Sequence, residues 1–231
     1  MLILAFDTST SKGGVAVLRD DQFLCEKTWS REGSHGELLT PALQECLESA
    51  GLKTKDLDAL AIGHGPGSFT GVRVTVNAAR ALAYALNLPV YVFDTTEIIA
   101  EAVNRHDYPV AVLINAHKNL IFASTFEWEN GLWRRKVPLA AYELNELGSL
   151  ITSPHLALGD AFDEFAPSMD QALLQNLVRD PELSDEPNPV TLGLMAYKRR
   201  DSIQPLDWKN VQALYIRPSG AEENLRKGEK K

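Results

Sequence analysis

Short apolar stretches recur along the chain, and polar turns separate them. Residues 2–6, 15–18 and 23–29 are three such stretches at the start of the sequence, with small or acidic residues between them. Apolar runs bounded by turn residues are typical of buried strands. The pattern therefore predicts a three-stranded meander, followed by a helix from about residue 37 to residue 50 that Gly51 ends.

The same order of elements returns in the second half of the chain. Three strands are predicted at residues 110–114, 120–128 and 132–137, with the hairpin pair Asn130-Gly131 before the third, and then a helix over 141–150. Further on, the pattern predicts a strand at 156–158, a helix at 190–200 and a late strand at 211–216. A meander followed by a helix, occurring twice, predicts an α/β protein of two related lobes. We place these lobes at residues 1–104 and 105–231.

A glycine-rich loop, residues 63–71, joins an apolar strand at 58–62 to a helix predicted over 72–86. A Walker loop ends in Gly-Lys-Ser/Thr, whereas Val72 follows Gly71 here. A dinucleotide fingerprint needs a third glycine where Thr70 stands. We therefore interpret the loop as a tight turn from strand to helix, with only a weak analogy to a nucleotide site. Its residues of interest are Gly65, Gly67, Ser68, Thr70, Gly71 and Arg73.

The helix that follows this loop carries two apolar stripes. A surface helix usually has one, so this helix is expected to be covered on two sides. Burial of both stripes inside one fold and contact of one stripe with a partner helix are both open from the pattern alone. The first stripe comprises Val72, Val76, Ala79, Ala83 and Leu86, and the second comprises Val74, Ala78, Ala81 and Ala85.

Composition narrows the class of protein without choosing a function. The chain has 231 residues, 45% of them hydrophobic, and a formal net charge of −8. That charge disfavours unaided binding to nucleic acid, although short basic clusters occur at 134–136, 198–200 and 226–231. The N-terminal run lacks a basic region before Asp7, and no stretch approaches the ~18 apolar residues of a membrane helix. With only Cys25 and Cys46, a reducing cytoplasm is the expected location.

Candidate chemistry is sparse. Asp7, Thr8 and Ser9 end the first strand, where a turn can hold nucleotide phosphates while the carboxylate positions a metal-bound water. In a repeated ATPase site the matching turn of the second lobe would carry a second acid, but Asn115 occupies that position. The alternative that Asp7 and Thr8 only cap a turn therefore stays open. No His pair has metal-ligand spacing, and no Gly-x-Ser-x-Gly elbow is present. We assign no catalytic residue and no metal ligand.

Several stretches together resemble one protein family. The segments are Asp7-Thr8-Ser9, Gly65-Pro66-Gly67-Ser68-Phe69-Thr70-Gly71-Val72-Arg73, Ala81-Leu82-Ala83 and Tyr215-Ile216-Arg217, with His35, Leu38-Leu39 and Pro41 between them. In these segments the chain closely resembles the TsaB (YeaZ) family over its whole length. The resemblance implies an actin-like (ASKHA) fold of two ribonuclease-H-like lobes, with mixed sheets flanked by helices.

The resemblance also implies a role in cytoplasmic synthesis of threonylcarbamoyladenosine in tRNA. Family members are non-catalytic partners of the transferase TsaD, the ATPase TsaE joins the assembly, and tRNA is reached through the complex. ATP or ADP would bind only within that complex, and the chain alone would form a homodimer. The implied face for TsaD or self comprises Val74, Ala78, Ala81, Leu82, Ala85, Leu39 and Leu43.

Two other classes of function stay open at the level of sequence. An actin-like ATPase or kinase is supported by Asp7-Thr8-Ser9 and weakened by Asn115. A glycoprotease-type peptidase fits old family labels, but no nucleophile or metal set supports it. The family's usual Asp-Ala-Arg at the second turn is replaced here by Asn115-Ala116-His117, which weakens any nucleotide contact at that turn.

Overall fold

The computed structural model describes residues 1–30 and 34–217, which form two five-stranded sheets with helices on their faces. The strands are β1 (Leu2–Asp7), β2 (Gly13–Arg19), β3 (Gln22–Trp29), β4 (Ala59–Gly63), β5 (Val90–Phe93), β6 (Val110–Asn115), β7 (Leu120–Glu129), β8 (Leu132–Glu143), β9 (His155–Leu158) and β10 (Leu177–Val178). The helices are α1 (His35–Ser49), α2 (Phe69–Leu86), α3 (Thr95–Glu101), α4 (Leu144–Leu150), α5 (Ala161–Phe165), α6 (Gln171–Asn176) and α7 (Pro189–Arg199). Within the described residues, no helix is long and apolar enough to cross a membrane.

The two sheets have the same topology. The first has the order β3-β2-β1-β4-β5, and the second has the order β8-β7-β6-β9-β10. In each sheet the first three strands are antiparallel, and the two remaining strands run parallel to the first. The repeat predicted from the apolar pattern is thus present in the backbone, and the fold is the actin-like arrangement of two ribonuclease-H-like lobes.

Both faces of each sheet are buried, because successive strand residues point to opposite sides. In β1, Leu2, Leu4 and Phe6 pack beneath α1 and α2, whereas Ile3 and Ala5 pack on the other face. The helix on that other face is α7, through Leu192, Met195 and Ala196. The sequence-based boundary, which placed all of 105–231 in the second lobe, is corrected for this helix. The chain returns to cover the first sheet.

The second sheet is covered in the same way by a helix from the other half of the chain. Ile99 and Ala100 of α3 belong to the core of the second lobe, although α3 was assigned to the first. Its opposite face is covered by α4, α5 and α6. Arg199 at the end of α7 donates to Glu97 (2.5 Å) and Glu101 (2.7 Å) of α3. The two exchanged helices are therefore joined by ion pairs, and each lobe depends on both halves of the chain.

Three local predictions are wrong for identifiable reasons. The helix predicted over 141–150 begins only at Leu144, because β8 continues to Glu143 in register with β7. The strand predicted at 211–216 is an irregular segment, held by Leu214 N–H donating to the His64 carbonyl at 2.8 Å. The sequence also predicts a short helix through Val103 that Thr95 or Thr96 caps, but the cap of α3 is Asp94, whose carboxylate accepts from Glu97 N–H.

Candidate functional site

The glycine-rich loop is fitted against the β1–β2 turn. Ser68 N–H donates to the Ser9 carbonyl at 2.7 Å, and the Ser68 side chain caps α2 by accepting from Gly71 N–H. A Cβ on Gly71 would stand 1.8 Å from the Thr8 carbonyl oxygen, and one on Gly67 would stand 2.1 Å from the Ser9 oxygen. Two glycines of the motif are thus required because the loop and the turn touch through their backbones.

The β1–β2 turn uses its own polar groups internally. Thr8 N–H donates to Thr75 Oγ1 at 3.0 Å, and Thr8 Oγ1 donates to the Gly71 carbonyl at 2.7 Å. Thr95 Oγ1 donates to Ser9 Oγ, and Ser9 N–H is bonded to Asp7. A phosphate loop needs exposed N–H donors, and these are covered and engaged. The N–H groups of Thr8 and Ser9 are thus bonded within the chain, and nucleotide contact by Asp7, Thr8 and Ser9 stays a prediction.

Asp7 carries a buried carboxyl group with one unpaired oxygen. Its Oδ1 accepts from Ser9 N–H (2.8 Å) and Ser9 Oγ (2.7 Å), whereas Oδ2 has no hydrogen-bond partner among the described residues. Burial raises the pKa of Asp7 from 3.8 to about 6, and the negative charge of Glu186 adds to the rise. Gly63 is required beside it, because a Cβ there would lie 1.9 Å from Oδ2.

Glu186, from the loop before α7, is a residue that the sequence analysis missed. It accepts a hydrogen bond from Ser11 Oγ at 2.7 Å, and its Oε2 also has no partner within the part of the chain described. Nothing in the sequence near Pro187 and Pro189 indicates that this loop reaches the first turn. Only the return of α7 to the first sheet brings it there.

The β6–β7 turn of the second lobe is also satisfied internally. Asn115 N–H donates to Asp160 Oδ1 at 2.8 Å, and the Asn115 side-chain amide donates to Glu164. Burial raises the pKa of Asp160. The three residues that follow Ala116 have left-handed backbone angles, with φ of 56° at His117, 54° at Lys118 and 61° at Asn119. The turn therefore resembles that of the first lobe in position but not in conformation.

The two apolar stripes of α2 differ in burial. Val72, Val76, Ala79 and Ala83 of the first stripe lie in the core, as the pattern predicted, and Leu86 is half-buried. On the second stripe Ala81 and Ala85 are exposed, and Val74, Ala78 and Leu82 are half-buried at its edge. We call Val74, Ala78, Ala81, Leu82 and Ala85 together the α2 face. They form a continuous, weakly polar surface on the outside of the first lobe.

Leu39 and Leu43 do not belong to this surface. Leu39 is 1% exposed and Leu43 is 7% exposed, since both point from α1 into the core of the first lobe. The prediction that Leu39 and Leu43 belong to a partner surface is therefore wrong. The apolar stripe on α1 predicts that these residues are buried, but it does not show whether the core or a partner protein buries them. α1 still flanks the α2 face, with Gly36 facing Val74 at ordinary contact distance.

A second cluster lies at the start of α2, on the other side of the loop. Arg73 lies over the Phe69 ring at 3.8 Å, and its Nε donates to the Tyr215 hydroxyl at 2.8 Å. The Phe69 and Tyr215 rings are 5.2 Å apart, and both are partly exposed. The sequence showed Phe69 and Arg73 in one motif and Tyr215 in another. Their contact could not be inferred, because residues 211–216 were predicted to be a strand.

No set of three His, Cys, Asp or Glu residues within 1–30 and 34–217 is arranged to hold a metal ion. Of the predicted loop residues, Gly65, Gly67 and Ser68 lie before α2, and Thr70, Gly71 and Arg73 lie in its first turns.

Comparison with known proteins places this architecture in a family. The model of the family described as "TsaD: tRNA N6-adenosine threonylcarbamoyltransferase" matches residues 27–180, and the chain belongs to this family. Within it, the chain is a member of the TsaB (YeaZ) group. The protein named "tRNA threonylcarbamoyladenosine biosynthesis protein TsaB" in Bacillus subtilis is 30% identical over 138 residues, which cover 60% of each chain. Its namesake in Escherichia coli is 33% identical over 141 residues, which cover 58% of each chain.

A solved structure supports the fold at greater coverage. YeaZ from Pseudomonas aeruginosa superimposes with a TM-score of 0.78 at 24% identity, over 93% of this chain and 99% of that one. At that identity the likeness concerns the fold. The sequence matches span about 60% of the length of the two curated relatives, so their named role is taken up below as a proposal.

Proposed function

We propose that this chain is the non-catalytic subunit of a tRNA threonylcarbamoyladenosine synthase. In this role it joins TsaD and TsaE in the cytoplasm and is required for transfer of the threonylcarbamoyl group from threonylcarbamoyl-AMP. The acceptor is N6 of the adenosine beside the anticodon of tRNAs that read codons beginning with A. The curated relatives carry the name of this biosynthesis, and membership of the family supports the assignment.

The observation that carries a partner role is the α2 face. Ala81 and Ala85 are exposed on a helix whose opposite stripe is buried, so small apolar side chains cover one side of the lobe. Small residues allow another helix to approach closely, so this surface favours a helical partner. The same face would serve for TsaD in the complex and for a second copy of this chain when TsaD is absent, since related proteins can share one self-complementary surface.

Two features of the site support a subunit without its own transfer chemistry. The N–H groups of the β1–β2 turn are engaged by Thr75 and Asp7, which removes the donors that a phosphate would need. The second turn uses the Asn115 amide in a bond to Glu164. These hydrogen bonds within the two turns disfavour the alternative of an actin-like ATPase or kinase, because the phosphates of its bound nucleotide would lie between the turns.

The test is reconstitution of tRNA modification from purified TsaD, TsaE, threonylcarbamoyl-AMP, ATP and tRNA, with and without this chain. Modified adenosine, measured by mass spectrometry of digested tRNA, should accumulate only when the chain is present. A reaction with the chain alone and threonylcarbamoyl-AMP should give no product, because the chain is assigned no catalytic group. Modification at the same rate without the chain would remove the proposed function, and product formation by the chain alone would remove its non-catalytic status.

A further inference from the structure

Cys25 and Cys46 are the two cysteines of the chain, and the fold brings them together in the core of the first lobe. Cys25 lies on β3 and Cys46 lies on α1. The Cys46 thiol is hydrogen-bonded to the Cys25 thiol and to the backbone of Val17. Val17 is also the residue opposite Cys25 in the β2–β3 ladder, so both cysteines meet at one point of the sheet.

The packing of α1 on β3 holds the two thiols in this position. Residues two apart on a strand point to the same side, so Lys27 and Trp29 face α1 together with Cys25. Lys27 forms an ion pair with Glu45, and Trp29 Nε1 donates to His35 Nδ1 at 3.1 Å. These contacts follow one another along the two elements, in opposite chain directions. The thiol pair therefore belongs to a continuous packing of the helix on the strand.

The two thiols differ in their access to solvent. Cys25 is 9% exposed and β3 is the edge strand of its sheet, whereas Cys46 is 0% exposed. Burial raises the pKa of the Cys46 thiol well above its usual range, and the hydrogen bond with Cys25 raises it further. Because the thiolate is the reactive form, Cys46 is protected from an oxidant in solution. Cys25 is the thiol that a small oxidant can reach.

A positive charge lies beside the thiol pair. The Lys27 ammonium interacts electrostatically with both sulfur atoms and is held in place by Glu45. A cation near a thiol stabilises the thiolate from which thiol chemistry begins. A cysteine that only fills space in a core packs as a small apolar residue and needs no such neighbour.

We propose that Cys25 and Cys46 are a reversible oxidation site, in which a peroxide oxidises Cys25 and Cys46 then closes a disulfide that joins β3 to α1. Both thiols are free in the structure, which corresponds to the reduced state of the site. Disulfides in a reducing compartment are usually transient and sense oxidants, so the bond should form only under oxidative conditions. The inference goes beyond the proposed function, which uses no thiol.

The oxidation balances with peroxide as the electron acceptor. The Cys25 thiolate attacks one oxygen of hydrogen peroxide, the O–O bond breaks, and Cys25 becomes a sulfenic acid, while the departing hydroxide takes up a proton and becomes water. The Cys46 sulfur then attacks the Cys25 sulfur, the S–O bond breaks, and the leaving hydroxide takes up the Cys46 proton as a second water. The two thiols have then lost two electrons and two protons. A dithiol reductant reverses the reaction by thiol–disulfide exchange.

The disulfide should stabilise the first lobe. A cross-link between β3 and α1 restricts the unfolded chain, which raises thermal stability when the native geometry is kept. For a chain of this length we expect Tm to rise by about 5 °C or more. Neither cysteine belongs to the α2 face, so the cross-link adds nothing to that surface.

The experiment treats the reduced, folded, full-length chain with hydrogen peroxide, removes the peroxide with catalase, denatures the protein and adds N-ethylmaleimide. Intact mass spectrometry then counts the free thiols, and peptide mapping locates any link. We expect two labelled thiols before treatment and none after it, with a Cys25–Cys46 linked peptide pair and recovery of both thiols after dithiothreitol. Calorimetry of the oxidised and reduced chains measures the change in Tm.

Two variants test the order of the steps. Cys46→Ala removes the second thiol, so Cys25 should stop at the sulfenic acid, which dimedone traps. Cys25→Ala should leave Cys46 as a free thiol under the same treatment, because the oxidant does not reach it. The parent chain carries the decisive measurement, so a variant that fails to fold does not remove the test.

Each outcome decides the proposal. A disulfide within one chain that dithiothreitol reverses and that raises Tm supports it. Two labelled thiols after treatment of the folded chain overturn it, as do an oxidised Cys25 beside a labelled Cys46, links between chains only, or a Tm that does not rise. Trapping of Cys46 in Cys25→Ala, without trapping of Cys25 in Cys46→Ala, reverses the order of the steps and also overturns it. The reconstitution of tRNA modification is run with the reduced chain, so its result tests the proposed function separately.

Discussion

Gly71 lies so close to Thr8 that a Cβ atom on Gly71 would stand 1.8 Å from the carbonyl oxygen of Thr8. Thr8 Oγ1 donates to the Gly71 carbonyl at 2.7 Å, so the two residues touch through both backbone and side chain. This contact fixes where α2 begins relative to the first sheet. The α2 face depends on that position, since it is built from α2.

The first prediction is that Gly71→Ala destabilises the chain by more than about 2 kcal/mol, because the added methyl group collides with backbone that cannot move away without breaking β1. The measurement is the free energy of unfolding in urea. Gly36→Ala is the matched control, because among the described residues its Cβ would meet only the Val74 methyl, at 3.8 Å. Alanine is the better helix former, so the control should be neutral or stabilised by up to ~1 kcal/mol. Equal losses in the two variants would contradict the close contact.

The second prediction concerns the buried hydroxyl that supports the turn. Thr75 is fully buried, and its Oγ1 accepts from Thr8 N–H while sharing a hydrogen bond with Thr8 Oγ1 at 2.7 Å. Thr75→Val keeps the shape but leaves the Thr8 N–H buried without a partner, which should cost about 1–3 kcal/mol of stability. Thr40→Val, at an exposed position of α1, should change stability by less than about 0.5 kcal/mol. A loss no larger than that of the control would show that the Thr8 N–H finds another acceptor.

Local pattern was sufficient for most of the fold. The apolar run of β1 and the turn at Asn130-Gly131 are properties of neighbouring residues, and the structure has both, with positive φ at Asn130 and Gly131. The repeat of two lobes followed from the same local signals. The exchange of α3 and α7 between lobes did not, because an apolar helix shows that it will be buried without showing against which sheet.

The site was predictable only where it is contiguous in sequence. The loop from Gly65 to Arg73 was recognised as a strand-to-helix turn before its partners were known. Glu186 beside Asp7, and Tyr215 beside Arg73, are contacts between residues more than a hundred positions apart. Burial of Leu39 and Leu43 was likewise decided by tertiary packing, since the pattern on α1 fits both a core stripe and a partner stripe.

The third prediction is a pH dependence of stability that arises from Asp7. Its pKa is about 6 in the folded chain and 3.8 in the reference state, because burial disfavours the charged carboxylate. Between about pH 4 and pH 6 the native state therefore holds a proton that the unfolded state releases, and stability falls as the pH rises through this window. Above it, the ionised group lowers stability by a constant amount, about 3 kcal/mol at most.

Asp7→Asn tests this dependence, because the amide keeps the acceptor for Ser9 and carries no charge. The variant should be more stable than the parent chain at pH 8, by on the order of 2 kcal/mol, and the difference should shrink toward pH 4.5. Urea unfolding at both pH values provides the measurement. Asp21→Asn, in the exposed turn between β2 and β3, controls for loss of one carboxylate. A difference that is the same at both pH values would show that Asp7 does not titrate in this window.

The fourth prediction concerns the α2 face. Ala81 is exposed in the single chain, so Ala81→Glu should change the free energy of unfolding by less than about 0.5 kcal/mol. In a complex with TsaD, or with a second copy, the same side chain would place an unpaired carboxylate between apolar surfaces, and association should weaken at least about 100-fold. Sedimentation velocity of the chain alone and co-purification with TsaD measure the two cases. Ala172→Glu, at an exposed position of α6 on the second lobe, is the matched control. If both variants associate as the parent chain does, the partner lies elsewhere; if only Ala81→Glu fails, the second apolar stripe of α2 is the docking surface.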